Sequence, residues 1–157
     1  MHFASPLSAG FWLPIAVAIA CGSIIGIERQ LRGKPAGVRT SILICLGTEM
    51  FVRLGVVFAG ENSDSTRVLG QIATGVGFLG AGVILAREGV VLGVTTAAVI
   101  WVLAAIGAAI GFGAYAAGLA YSVAAVGVLV GVEALERSLR SLRRGVHARG
   151  RGESGEG

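Results

Sequence analysis

Charge is scarce in this chain. Asp, Glu, Lys and Arg make up 14% of its 157 residues, against 54% apolar residues. A water-soluble domain of this length needs a charged shell, and there is too little charge here to build one. Histidine is nearly missing, and His2 and His147 both lie outside the apolar runs. That removes the commonest general base and metal ligand from those runs. Cys21 and Cys45 form no CxxC and sit inside apolar sequence, so they read as buried free thiols. No Ser/His or Cys/His pair, no metal-ligand spacing and no paired carboxylates occur within one run, and the chain does not read as an enzyme.

What is abundant is glycine and unbroken apolar sequence. There are 26 glycines without a G-X-Y period, which excludes collagen. Mean hydropathy is +0.80. Membrane helices carry more glycine than soluble ones, so one class explains both features. The expected fold is an all-α polytopic membrane helical bundle of about five spans. Its expected centre is Thr74 to Leu85, TGVGFLGAGVIL, with Gly75, Gly77, Gly80 and Gly82 as close-packing positions. Gly75-x-Gly77-x-x-Gly80 matches a dinucleotide fingerprint as a string, but no strand precedes it and no acid follows about twenty residues on.

The first span is expected over Phe11–Ile27. A signal peptide is disfavoured there by the lack of a basic n-region, and so is a lipoprotein site at Cys21. Pro35 and Gly37 mark a turn, and the second span follows over Ser41–Ala59. The third runs from Arg67 to Arg87. No Asp, Glu, Lys or Arg occurs from Gly89 to Val132. As one helix this stretch would be about 66 Å long, twice the hydrocarbon core, so it must fold back. Gly111-Phe112-Gly113 is the expected turn, between spans over Val94–Ile110 and Ala114–Val132. Trp101 lies on the small-residue stripe of Ala97, Ala104, Ala108 and Gly111 and is counted with the packing positions. The organisation is a transmembrane domain over 1–136 and a basic tail over 137–157, helical at first and disordered from about Gly145.

Basic residues segregate. Arg29, Arg32, Lys34 and Arg39 fall in one loop, Arg87 in another, and Arg137, Arg140, Arg143, Arg144, Arg149 and Arg151 in the tail. With five spans all of these share one side, leaving only Arg67 on the other. The positive-inside rule then places the N-terminus outside and the C-terminus in the cytoplasm. The net charge of +4 reads as orientation and lipid contact rather than nucleic-acid binding. Expected partners are the lipid bilayer, a homo-oligomer and another membrane protein.

Two sets of polar residues stand out. Glu49 and Arg53 are four apart near the middle of the second span and can pair on one helix face. Such a pair is either part of a polar path or a self-neutralising burial with Arg53 snorkelling outward. The second set gathers at the cytoplasmic helix ends: Glu28, Arg29, Arg39, Thr40, Thr95 and Thr96. Glu28 could bind a hard cation such as Mg²⁺ with waters retained. The threonines can equally cap or bond their own helices, and Arg29 and Arg39 anchor the positive side, which is the reading residue type alone favours. Asp64 and Arg67 open the third span on the other side.

The segments GIERQLRGKPAGVRT (26–40), DSTRVLGQIATGVGFLGAGVIL (64–85) and GVTTAAVIWVLAAIGAAIGFG (93–113), in this order, resemble the MgtC/SapB membrane proteins. The resemblance covers most of residues 22 to 113. It implies a bacterial inner-membrane bundle of five spans, linked to growth at low magnesium and to survival inside macrophages. Its members are labelled Mg²⁺ transporters, while well-studied ones look more like modulators of other membrane machinery such as the ATP synthase. The motif positions fall on Glu28, Arg29, Arg39, Thr40, Asp64, Arg67, Gly75, Gly77, Gly80, Gly82, Thr95, Thr96 and Trp101. No cofactor is implied, with Mg²⁺ as ligand or substrate. Longer members carry a cytoplasmic domain after the fifth span. Too few residues follow Val132 for such a core, so the chain resembles a short form. Glu49 and Arg53 depart from the pattern, so the resemblance assigns them no role.

Overall fold

The computed structural model describes residues 6–58, 65–87 and 90–149. Five helices make up most of them: α1 (Ala9–Leu31), α2 (Val38–Phe58), α3 (Ser65–Gly82), α4 (Val94–Gly111) and α5 (Tyr115–Arg149). The fold is the all-α multi-pass bundle read from the apolar runs. Among the described residues four helical stretches are long and apolar enough to cross a membrane: Ala9–Leu31, Val38–Phe58, Val94–Gly111 and Tyr115–Leu139. The helix α3 is 18 residues long but falls short in hydropathy, because Arg67, Gln71 and Thr74 join its glycines.

The third helix also ends earlier than expected. It stops at Gly82 instead of running to Arg87, and Leu85–Arg87 (β1) pairs antiparallel with Val90–Leu92 (β2). Gly80 and Gly82 weaken the last turn, and the valines and leucines beyond favour an extended chain. Gly93 closes this hairpin with φ +89, and a Cβ there would lie 2.0 Å from the Val83 carbonyl oxygen. The return between α4 and α5 falls at Phe112-Gly113, where Gly113 has φ +86.

The chain divides into two units, Met1–Ala125 and Val126–Gly157, with the boundary inside α5. In the second, the helix continues to Arg149, beyond the expected end of order near Gly145. Arg137 and Glu133 pair there one turn apart. Residues 150–157 of the expected tail lie outside the described residues.

Within the first unit α2 is the shared wall, packed by α1, α3 and α4. Glycine sets the close approaches. A Cβ on Gly22 would lie 2.6 Å from the Ile42 Cα, and one on Gly26 would lie 2.6 Å from the Val38 Cα. So Gly22-x-x-x-Gly26 seats α1 directly on the α2 backbone. On the other side, a Gly107 Cβ would lie 2.4 Å from the Cys45 carbonyl oxygen, and a Gly111 Cβ 2.6 Å from the Val52 Cβ. The Cys45 thiol donates to the Leu103 carbonyl at 3.2 Å across the same seam. Both cysteines are free and buried.

The glycines of α3 behave differently. A Cβ on Gly75, Gly77 or Gly82 would meet nothing within 4 Å, and Gly80 alone comes near another helix, 3.7 Å from the Ala97 Cβ. Trp101 is 55% exposed. Within this copy, then, only Gly80 of these expected packing positions is shown close to a neighbouring helix. Helix spacing marks a small-residue face, not which way it points. The inward face of α3 is instead Val68, Ile72, Val76 and Gly80, spaced four apart. Val76 packs in a cluster with Ile100 and Ala104, flanked by Ala36, Ile44, Ile72 and Val83. Val68 meets Gly55 at the other end of α2, so α3 runs antiparallel to it.

Candidate functional site

The charged residues at the end of α1 are drawn into the bundle. Glu28 Oε1 pairs with Arg32 Nε at 2.7 Å, one helical turn away. Arg29 is 3% exposed and donates to the Thr96 hydroxyl at 2.9 Å, in the first turn of α4. Thr96 is likewise buried. Glu28 Oε2 and Arg29 Nε are buried without a hydrogen-bond partner. The result is a knot of Glu28, Arg29, Arg32 and Thr96 joining α1 to α4. Arg32 was not among the sequence candidates, although its i+4 spacing from Glu28 was a usable signal.

The chain then reverses through a strained turn. Gly33 has φ +61, and Ala36, which carries a Cβ, has φ +59. Gln30 Oε1 accepts the Val38 N–H at 3.3 Å and so satisfies one free donor at the start of α2. The Ser41 hydroxyl donates to the Ala36 carbonyl at 3.3 Å. Gln30 was also missed, because a side-chain cap acting across a loop leaves no periodic trace.

The remaining candidates separate from the knot. Thr95 faces outward. Arg39, Thr40 and Arg67 line a groove of about 930 Å³ between α2 and α3. Its walls are mostly apolar, among them Leu43, Ile44, Phe51, Ile72, Val76 and Leu79. Asp64 lies outside the described residues.

Glu49 and Arg53 do pair, at 3.1 Å. Glu49 is fully buried, and its Oε2 has no hydrogen-bond partner. Arg53 also donates to the Phe11 carbonyl at 3.5 Å and sits 5.6 Å from the centre of the Phe11 ring. The pair thus ties the middle of α2 to the start of α1. Among the described residues no group of three or more His, Cys, Asp or Glu side chains could hold a metal ion.

The sequence model of the MgtC family matches residues 15–138. The protein named "Putative magnesium transporter YhiD" of Escherichia coli K12 is 49% identical over 122 residues, which are 73% of this chain and 56% of that protein. Protein SrpB of Synechococcus elongatus is 38% identical over 83% of this chain and 81% of its own length. Protein MgtC of Brucella abortus is 37% identical over 85% of this chain and 60% of its own length. The chain therefore spans a little over half the length of the first of these relatives. No solved structure matches it.

Proposed function

This chain belongs to the MgtC family, and from that premise we propose that it is a bacterial inner-membrane protein of magnesium homeostasis, with Mg²⁺ as the ion it moves. The name of the Escherichia coli relative, "Putative magnesium transporter YhiD", supports the ion. The observation that carries the reading is Glu28, a buried carboxylate at a helix end with one oxygen unpartnered. Mg²⁺ keeps several waters and is commonly held through one or two carboxylates, so a single free oxygen suits a hydrated ion. Arg32 on the other oxygen is the competitor such an ion displaces. With α3, antiparallel to α2, counted as a fifth span, the segregation of Arg and Lys favours an N-terminus outside and a C-terminus in the cytoplasm. In the test, purified protein in proteoliposomes takes up Mg²⁺, and Glu28→Gln abolishes the flux at equal protein content. Absence of flux in the parent chain sinks this reading.

A second reading has its own support. Arg29 and Arg32 flank Glu28 and oppose a cation there. Gly75 and Gly77 are open, and Phe78 beside them is 81% exposed. On this reading the chain is a non-transporting regulator, and the bare face of α3 receives another membrane protein. It predicts no flux, co-purification of a partner and loss of that partner in Gly77→Leu.

A further inference from the structure

The groove between α2 and α3 lies apart from Glu28 and shares only Gly75 with the bare α3 face of the second reading. We propose that it is a binding site for one anionic phospholipid, with the headgroup phosphate at Arg39 and Thr40 and an acyl chain along the apolar walls. Arg39 and Thr40 are exposed at the start of α2 and stand at the groove's rim. Among the described residues no hydrogen bond or ion pair engages the Arg39 side chain. Among the described residues no Asp or Glu lines the groove. Arg39 and Thr40 stand at one end, Arg67 and Gln71 at the other, and the stretch between is mostly apolar. The groove is therefore cationic and apolar, the complement of an anionic lipid.

Shape supports the same occupant. Gly47 of α2 and Gly75 of α3 both line the groove, and a Cβ on either would meet nothing within 4 Å. Two bare backbones set the walls back where an acyl chain would pass. From Arg39 to Phe51 the lining runs about 18 Å along α2 at 1.5 Å per residue. That is a little more than half of the ~30 Å hydrocarbon core, the depth of one leaflet. Basic pockets between membrane helices are a recurrent way of holding anionic headgroups. A second copy of this chain is a poorer match. In the same membrane orientation it brings its own Arg32, Lys34 and Arg39 to the same level, like charge against like.

The full chain, purified in mild detergent, is offered phosphatidylglycerol and phosphatidylcholine in equal amounts, and retained lipid is read by native mass spectrometry. Phosphatidylglycerol is retained in preference. Arg39→Gln lowers its retention about fivefold and leaves phosphatidylcholine unchanged. Gly75→Phe fills the groove and reduces retention, with circular dichroism reporting the helical content. A variant-free measurement covers the case in which Gly75→Phe does not fold. Phosphatidylglycerol with a photoactivatable acyl chain labels the parent chain within 43–51 and 72–79 above all other helices. Equal retention of both lipids, wild-type retention in Arg39→Gln, or uniform labelling overturns the proposal. So does a Gly75→Cys variant that cross-links to a second copy with no lipid retained.

Discussion

Arg29 and Thr96, separated by 67 positions in sequence, share a buried hydrogen bond of 2.9 Å that fastens the end of α1 to the start of α4. The guanidinium is almost wholly out of solvent, so its partner matters more than a surface partner would. Thr96→Val keeps the shape of the side chain and removes the acceptor. The expected loss is about 1–3 kcal/mol, read as a lower unfolding temperature in detergent, with Thr96→Ser close to the parent. A Thr96→Val protein as stable as the parent would show that the bond contributes nothing.

The pair within α2 gives a sharper contrast. Removing one partner of a buried ion pair costs about 3–5 kcal/mol, whereas replacing both by apolar residues is often neutral. Arg53 keeps the Phe11 carbonyl and ring when its carboxylate is lost, so Glu49→Gln belongs at the low end of that range. Membrane abundance, measured by immunoblot, should fall in Glu49→Gln and recover in the double variant Glu49→Leu/Arg53→Leu. Equal abundance of all three chains contradicts this account.

The glycines divide into two classes with opposite expected responses. Gly107→Ala drives a methyl against the Cys45 carbonyl and is expected to destabilise by about 1–3 kcal/mol. Gly77→Ala meets open space and gains helix propensity of up to about 1 kcal/mol. Thermal melts of the two single variants rank them. The reverse order would mean that α3, not the seam between α4 and α2, is tightly packed.

The turn before α2 holds a non-glycine residue in the left-handed region, Ala36 at φ +59. A Cβ there costs about 1–2 kcal/mol that glycine avoids. Ala36→Gly is therefore expected to raise the unfolding temperature slightly, offset by the greater freedom of glycine in the unfolded chain. A marked fall in that temperature would argue against the strain.

Much of the fold was legible because it follows from hydropathy and spacing. The apolar runs located the helices, the charge-free stretch required a reversal at Phe112-Gly113, and the four-residue spacing paired Glu49 with Arg53. Gly22 and Gly26, four apart on α1, carry the same kind of spacing and do pack against the α2 backbone. What failed needed information about direction. The glycine-rich string in α3 drew attention by its density, but a stripe of small residues does not reveal whether a neighbour stands beside it. The strands at Leu85–Arg87 and Val90–Leu92 were hidden because an apolar run reads alike as helix or strand. In the candidate site, the sequence grouped Glu28, Arg29 and Thr96 with Arg39 and Thr40 by depth alone. Helix rotation decided the rest, turning the first three inward and the last two to the α2–α3 groove.

The contact between Arg53 and the start of α1 bears on how the chain enters its membrane. A helix with a carboxylate and a guanidinium near its middle partitions poorly from the translocon by itself. Here the preceding helix supplies a carbonyl and an aromatic ring for the guanidinium, and its two glycines allow the close approach. Biogenesis therefore favours α1 and α2 leaving the translocon together as a helical hairpin. The short connection at Arg32–Gly37 makes that pairing available as soon as α2 has been synthesised.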